Sequence, residues 1–280
     1  MEPAFDTLVI LDFEATCEDG GAPSPQEIIE LPSVLVSLRE RRVLDDFGTF
    51  VRPIFHPRLS PFCHKLTSIR QEDVDPAPAF PQALERHLAW LRGHGLLDAP
   101  DRFAFVTCGD WDLSTMLPTQ CAASGPPITD LPPAYRRWIN IKKIFAGQIP
   151  RAKSNGMASM LRALGLELVG THHRGIDDCH NIARIALALA ARGAAFRITA
   201  KLAGSRYPEL PLTLEWQGTT HAAVLKKRSL PALLGLASGL FHRQMARVFA
   251  DDGRELGADD DLFVLRPGAT LRMASAREQK

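Results

Sequence analysis

The sequence predicts an α/β fold: a mixed sheet flanked by helices, followed by a small C-terminal α+β module. Three observations lead there. Leu8-Val9-Ile10-Leu11 is a continuous apolar run, the pattern of a strand buried on both faces. Two more strand-like runs, 28–38 and 43–51, follow before any helical period, which fits an antiparallel meander better than immediate βαβ winding. Beyond them, strand-like runs alternate with helix-period segments, and the composition shifts after Ala191.

The elements follow in order. Glu18 to Gln26 is a polar loop with Gly20-Gly21 and two prolines. Pro32 inside the second strand predicts an edge or a bend, because proline cannot donate to a ladder. Arg39 to Arg42 reads as a hairpin turn. Ser68 with Gln71 has the form of a capping box and predicts a short helix there. Phe80, Leu84, Leu88 and Leu91 have a helical period. Phe103 to Cys108 is a fourth strand, with a helix from about Asp112 to Ala123. Tyr135 to Phe145 contains Trp138-Ile139-Asn140-Ile141, which alternates as a fifth strand. Asn155-Gly156 opens a helix stopped by Gly165, and Ile182, Ile185, Ala186 and Leu189 trace the face of another.

A chain of 280 residues exceeds the usual domain size. We expect a main domain over 1–203, a linker over 204–211 with Gly204-Ser205 and Pro208, and a small module over 212–280. The module reads as strands at 212–216 and 221–225, a helix from Leu230 to Phe241, and strands at 247–250 and 262–273. The net charge of +1 gives no global case for nucleic acid or membrane, so any nucleic-acid site is local. The five cysteines are scattered and lack CxxC spacing, which argues against a disulfide framework or a zinc site and fits a reducing cytoplasm. No signal peptide or membrane-length apolar run is evident.

The chemistry-bearing residues are acids. Asp12 and Glu14 stand two apart, so on a pleated strand they share one face. Such carboxylates repel each other and resist desolvation unless a cation intervenes. The plain alternative is a strand end with two solvated acids. Asp112, just past a strand end, and Asp178, opening the Ala-rich helix, are the other candidate ligands. Two magnesium-type ions in a four-carboxylate cage can clamp a phosphodiester. His173, five residues before Asp178 in a Gly-flanked loop, is the candidate general base. His172 is assigned to the loop, Asp177 to capping or orienting the helix, and Cys17 to packing. Lys142, Lys143, Arg151 and Lys153 read as solvated surface.

Asp12-Phe13-Glu14-Ala15-Thr16-Cys17-Glu18 resembles the first motif of the DEDDh 3′–5′ exonucleases. The nearest branch is that of the enhanced-RNAi and histone-mRNA 3′ exonucleases and the KapD-like bacterial proteins. Gln26 to Glu30, Phe50 to Pro53, Leu59 to Cys63, Trp111-Asp112, Trp138 to Ile141, Gly175 to Asp178 and Asn181 to Ile185 match in order over roughly 7–202. The resemblance implies an RNase H-like, mixed five-stranded sheet. It also implies two divalent ions, Mg2+ or Mn2+, and stepwise release of 5′-mononucleotides from a 3′ end. The partner it implies is single-stranded or 3′-overhanging nucleic acid, with RNA preferred. Carried over, Asp12, Glu14, Asp112 and Asp178 are metal ligands and His173 the base. Phe62 and Trp111 are expected to bind the terminal nucleotide, with Ala15 and Thr16 beside them. Some relatives carry an accessory domain before the nuclease, and the early first strand leads us to expect none here.

The C-terminal module resembles a ubiquitin-like β-grasp of the CIDE-N type. Lys226-Lys227-Arg228 opposes Asp251-Asp252 and Asp259-Asp260-Asp261, which is the pattern of head-to-tail self-association or protein docking, or simply of soluble turns. Two rival functions remain. Asp12-x-Glu14-x-Thr16 superficially resembles the DxDxT loop of haloacid-dehalogenase-type phosphatases, though Glu14 departs from the usual Asp. A catalytically inactive nucleic-acid-binding module is the other.

Overall fold

The computed structural model describes residues 5–150, 156–202, 210–225, 230–251, 253–257 and 269–275. The chain divides into two compact units, one of Met1–Gly125 with Pro132–Leu202, the other of Pro126–Leu131 with Ala203–Lys280. Several expectations lie outside the described residues: Arg151, Lys153, Asn155, the Gly204-Ser205 and Pro208 linker, Lys226-Lys227-Arg228, Asp252, Asp259 to Asp261, and the strand start at 262–268.

The first unit runs β1 (Thr7–Leu11), β2 (Glu14–Ala15), β3 (Ile28–Ser37), β4 (Arg42–Phe50), α1 (Pro61–Thr67), α2 (Gln71–Val74), α3 (Phe80–Gly93) and β5 (Phe103–Thr107). A π-helical turn (Asp112–Met116), α4 (Leu117–Ser124), β6 (Arg137–Asn140), α5 (Ile141–Gln148), α6 (Met157–Leu164), α7 (Gly175–Ala191) and β7 (Ala200–Lys201) complete it. The sheet order is β2-β3-β1-β5-β6-β7, with β4 on the far side of β3. Five strands are substantial; β2 and β7 have two residues each, which brings the sheet to seven. β3 pairs antiparallel with β1 and β4, while β5 joins β1 and β6 in parallel, so the sheet is mixed as expected.

β1 is the central strand, and Leu8 to Leu11 are fully buried. Leu8 and Ile10 face the layer built from α7 and α6, where Ile182, Ile185, Ala186 and Leu189 meet Met160 and Leu161. Four local expectations needed correction. The strand holding Asp12 and Glu14 is interrupted: β1 stops at Leu11, and β2 resumes at Glu14 with an irregular register against β3. Pro32 is not on an edge. It sits on β3 between Ser33, which pairs with Leu11, and Glu30, which pairs with Glu14, where that side of the ladder is broken and no donor is needed. The helix near Ser68 is two helices. Ser60 caps α1 by accepting the Cys63 N–H at 2.9 Å, and Ser68 ends α1 in the left-handed region at φ 61°. The segment after Asn140 is helix α5 rather than strand, because the Asn140 side chain accepts the Lys142 N–H at 3.1 Å and caps it.

The second unit has β8 (Leu210–Trp216), β9 (Thr219–Leu225), α8 (Leu230–Leu240), β10 (Met245–Phe249) and β11 (Thr270–Ser275). Gln217 and Gly218 both have positive φ, 49° and 80°, the requirement of a tight two-residue hairpin. The sheet order is β10-β11-β8-β9, with β8 and β11 parallel. Leu214, Leu233, Ala237, Val248 and Leu271 are the fully buried centre. No helix of the described residues is long and apolar enough to cross a membrane.

On the face of the sheet covered by α3, His87 is fully buried. Its ring nitrogens lie 2.9 Å from the Ser33 hydroxyl and 2.6 Å from the Tyr135 hydroxyl. Burial pushes its pKa down to about 3. The unfolded chain takes up a proton near pH 6.5 that the folded chain refuses, so this contribution is intact above that pH and lost as pH falls toward the folded value. We predict that the stability gap between the parent and His87→Asn, read from urea unfolding, shrinks by roughly 1.4 kcal/mol per pH unit below about pH 6.5. A gap constant from pH 7 to pH 4.5 contradicts a neutral buried imidazole.

Candidate active site

The break between β1 and β2 places Asp12, Phe13 and Glu14 at the tip of the central strand. Phe13 has left the ladder, and its N–H donates to Asp112 Oδ1 at 2.9 Å. That one bond ties the start of the π-helical turn to the first motif. Single π-helical turns concentrate at functional sites, and Asp112 opens this one. From the opposite side, α7 brings Asp178. Its Oδ2 accepts the His173 N–H at 2.9 Å, while its Oδ1 is buried with no hydrogen-bond partner among the described residues. Ligand atoms of Asp12, Glu14 and Asp178 lie within 4.8 Å of one another. Asp112, turned toward Phe13, is not in that tightest set. Atoms of His173 and His172 fall within 4.8 Å of Asp178 and of each other. The four acids and His173 are therefore brought to one place.

The close approach of α7 depends on Gly175. A Cβ there would lie 2.9 Å from the Asp12 carbonyl oxygen, 2.9 Å from Pro32 Cγ and 3.2 Å from Glu30 Oε2. The Gly175 N–H donates to Glu30 Oε2 at 3.0 Å, and Arg174 Nε pairs with Glu30 Oε1 at 3.2 Å. The Arg174 guanidinium also covers the Phe50 ring, 4.5 Å from its centroid. Glu30 and Arg174 belong to this site and sequence reasoning passed over their roles. The available signal was an acid inside β3, a strand buried at every position, where an ionisable side chain needs a partner.

Burial dominates the electrostatics, and like charges add to it at Asp12 and Glu14. Burial, and then the neighbouring Asp112, Glu14 and Asp178, hold the Asp12 carboxyl well above the ordinary range. Burial and the charges of Glu30, Asp178 and Asp112 raise Glu14 to about 9. Burial raises Asp112 to about 6 against the opposing pull of the Phe13 N–H, and Asp178 to about 6 against that of the His173 N–H. Burial and the adjacent His172 lower His173. Lys142 is not simply solvated surface: its charge acts on Asp112, and its Nζ lies 3.8 Å from where a Gly109 Cβ would be. Lys143 Nζ donates to the Thr199 carbonyl at 3.0 Å. An all-oxygen donor set, with one buried oxygen unpartnered among the described residues and protons held because burial and like charge disfavour the ionised acids, fits hard divalent cations.

The other expected residues divide between surface and interior: Phe62 and Trp111 are exposed, Ala15 and Thr16 buried. Phe62 and Trp111 are 37% and 40% exposed, unusual for such rings. Phe62 borders a cleft of about 550 Å³ with Glu18, Asp19, Ser60, Pro61 and Lys65. The α1 end that carries it is fastened to the first motif, since Ser60 Oγ donates to the Cys17 carbonyl at 2.6 Å. Ala15 and Thr16 are buried, and the Thr16 hydroxyl accepts the Glu27 N–H at 3.0 Å. Glu27 in turn accepts from Ile54, Phe55 and His56 N–H groups at 2.6–2.9 Å. Asp177 accepts the Thr171 N–H at 2.8 Å and so shapes the loop before His173.

With this geometry in view, the comparisons with known proteins are direct. Residues 9–186 match the exonuclease family of RNase T type. Human ERI1 exoribonuclease 3 is 45% identical over 194 residues, which cover 69% of this chain and 56% of that protein. Human 3′-5′ exoribonuclease 1 is 37% identical over 218 residues, covering 77% of this chain and 61% of that protein. The chain thus matches little more than half the length of these relatives. Among solved structures, the nuclease domain of 3′hExo, described as a DEDDh family member bound to rAMP, superposes with TM-score 0.65 at 37% identity, covering 71% of this chain and 98% of that one. The chain belongs to the exonuclease (RNase T) family. That family is divalent-metal dependent, and the acidic cluster is where such ions fit.

Raised carboxyl pKa values carry a stability consequence. Between about pH 4 and pH 9 the metal-free folded chain keeps protons that the unfolded chain has released, so these groups lower stability as pH rises. A divalent ion takes the place of those protons. Magnesium should raise the melting temperature of the chelated protein clearly at pH 8 and little at pH 5, as measured by scanning calorimetry. Equal shifts at both pH values, or none, contradict a metal-binding acid cluster.

Proposed function

We propose that the protein is a two-metal-ion 3′–5′ exoribonuclease that releases 5′-mononucleotides from RNA 3′ ends. The observation that carries this reading is the convergence of Asp12, Glu14 and Asp178, with Asp112 bound to the intervening Phe13 N–H and His173 bound to Asp178. Asp12, Glu14, Asp112 and Asp178 would hold two ions, Mg2+ or Mn2+. Bound hard cations supply Lewis-acid activation of water and charge stabilisation on the leaving oxygen. His173 serves as general base: its ring is neutral at physiological pH and solvent-accessible, so it can take a proton from the attacking water. Phe62 and Trp111 offer two exposed ring faces for the terminal nucleotides, and stacking accepts any base.

The preference for RNA draws on the relatives. Those above are named as exoribonucleases, and another structural neighbour, 32% identical with TM-score 0.65, is a 3′-exonuclease recognising the 3′ end of a histone mRNA stem-loop. Single-stranded or 3′-overhanging RNA is the substrate class we assign. The phosphatase alternative loses its ground, because the match spans the whole set of exonuclease motifs. An inactive module is disfavoured because every acid and the imidazole are present and assembled. Self-association through the C-terminal unit remains a proposal from sequence, since most of its charge blocks lie outside the described residues.

The test is a panel of 5′-labelled single-stranded RNA and DNA with magnesium. The parent should shorten RNA one nucleotide at a time from the 3′ end and release nucleoside 5′-monophosphates. Asp12→Asn should abolish turnover, and His173→Ala should lower kcat by about 10²–10⁴-fold while keeping RNA binding. Phe62→Ala or Trp111→Ala should raise KM, each by the equivalent of about 1–3 kcal/mol. Internal cleavage, or full activity in His173→Ala, contradicts the assignment.

A further inference from the structure

The loop before α7 holds a second group of metal-binding side chains that the nuclease reading does not use as a set. His172, His173 and Asp178 have ligand atoms within 4.8 Å of one another. Neighbouring side chains on an extended backbone diverge, but here His173 adopts φ 65°, in the left-handed region. That turn brings the two imidazoles to the same side, with ring centroids 3.9 Å apart and planes inclined at 55°. A non-glycine residue in this conformation marks a backbone held in place by its surroundings. The holding contacts are visible: the His173 N–H bonds Asp178 Oδ2, Arg174 is anchored on Glu30 and Phe50, and the Thr171 N–H is taken by Asp177. Asp178, shared with the acid cluster, is 4% exposed, and its Oδ1 lacks a hydrogen-bond partner among the described residues, so it is open to a ligand from either group.

The donor set differs in kind from the catalytic acids. Asp12, Glu14, Asp112 and Asp178 offer only oxygen, which suits magnesium. Two imidazole nitrogens with one carboxylate suit zinc, a borderline-soft ion that tolerates three protein ligands and a water. Zinc ligands in a tetrahedron lie about 3.4 Å apart, so the group needs to tighten slightly, and the exposed His172 ring is free to turn inward. We propose that His172, His173 and Asp178 form a zinc-selective site whose occupation draws His173 and Asp178 away from the magnesium-dependent reaction, so that zinc inhibits the enzyme. The inhibitory consequence rests on the nuclease reading; the binding itself does not.

The binding arm uses the full chain stripped of metal and then saturated with magnesium, titrated calorimetrically with zinc. The parent should bind zinc at least tenfold more tightly than His172→Ala, and cobalt in place of zinc should give a visible absorption band that His172→Ala loses. The functional arm compares RNA shortening in magnesium with rising zinc. Each protein is read against its own zinc-free rate, and His172→Ala should need at least tenfold more zinc for half-inhibition. Equal zinc affinity in the two proteins, or no zinc binding in the presence of magnesium, overturns the site. If neither protein cuts RNA, the calorimetry still decides the site, and only the nuclease reading falls. Thermal unfolding of His172→Ala at the parent's temperature confirms that the exposed position leaves the fold intact.

Discussion

Four carboxylates crowd a space where burial, reinforced by like charge at Asp12 and Glu14, raises their proton affinity, and the rest of the first unit is arranged around holding them there. Like charges removed from water separate, relax toward solvent or take up protons unless the scaffold and a counter-ion oppose this. Here separation is prevented by covalent and hydrogen-bonded links rather than by side-chain packing alone. Asp12 and Glu14 stand two apart in the chain, with only Phe13 between them. Asp112 is joined to the residue between them through the Phe13 N–H. Asp178 rides on a helix that approaches without a Cβ at Gly175. Proton uptake remains open to the metal-free protein, and this is why its stability and its metal affinity are coupled to pH.

The fifth acid, Glu30, has a different part. It is at least as buried as its neighbours but has Arg174 and the Gly175 N–H as partners. Its charge is therefore answered by the protein itself, whereas the other four share no cation with it beyond the reach of Arg174 and Lys142. This separates an anchoring carboxylate from the proposed ligands on physical grounds. Glu30 fastens the start of α7 to β3, and with it the loop that carries His172 and His173. The interruption of the ladder at Asp12 and Phe13, with Pro32 opposite, leaves room for that fastening.

Much of this was legible in the sequence because the site is made of short local patterns. The Asp12-x-Glu14 pair after a wholly apolar strand, Asp112 past a strand end, and the spacing of His173 to Asp178 each located a piece of chemistry. Their convergence was not readable from residues alone, since it depends on pairing among β1, β3 and β5. The errors share a cause. Pro32 read as an edge residue, Ser68 as a cap and Ile141 as strand because propensity was weighed without knowing where the ladder breaks or which side chain captures a free N–H. Asn140 and Ser60 settle those choices through single hydrogen bonds that no periodicity reveals. Glu30 was visible as an acid in an apolar strand, but its partner Arg174 is far away in sequence, so the pair emerged only in three dimensions.

The central claim is that these acids hold a pair of ions for phosphodiester chemistry. A crystal structure of the full chain grown with manganese and a nucleoside 5′-monophosphate, with anomalous scattering collected at the manganese edge, addresses it most directly. The account predicts two peaks about 3.5–4 Å apart on either side of Asp12. A single peak distant from Asp12, or none at this cluster, contradicts it.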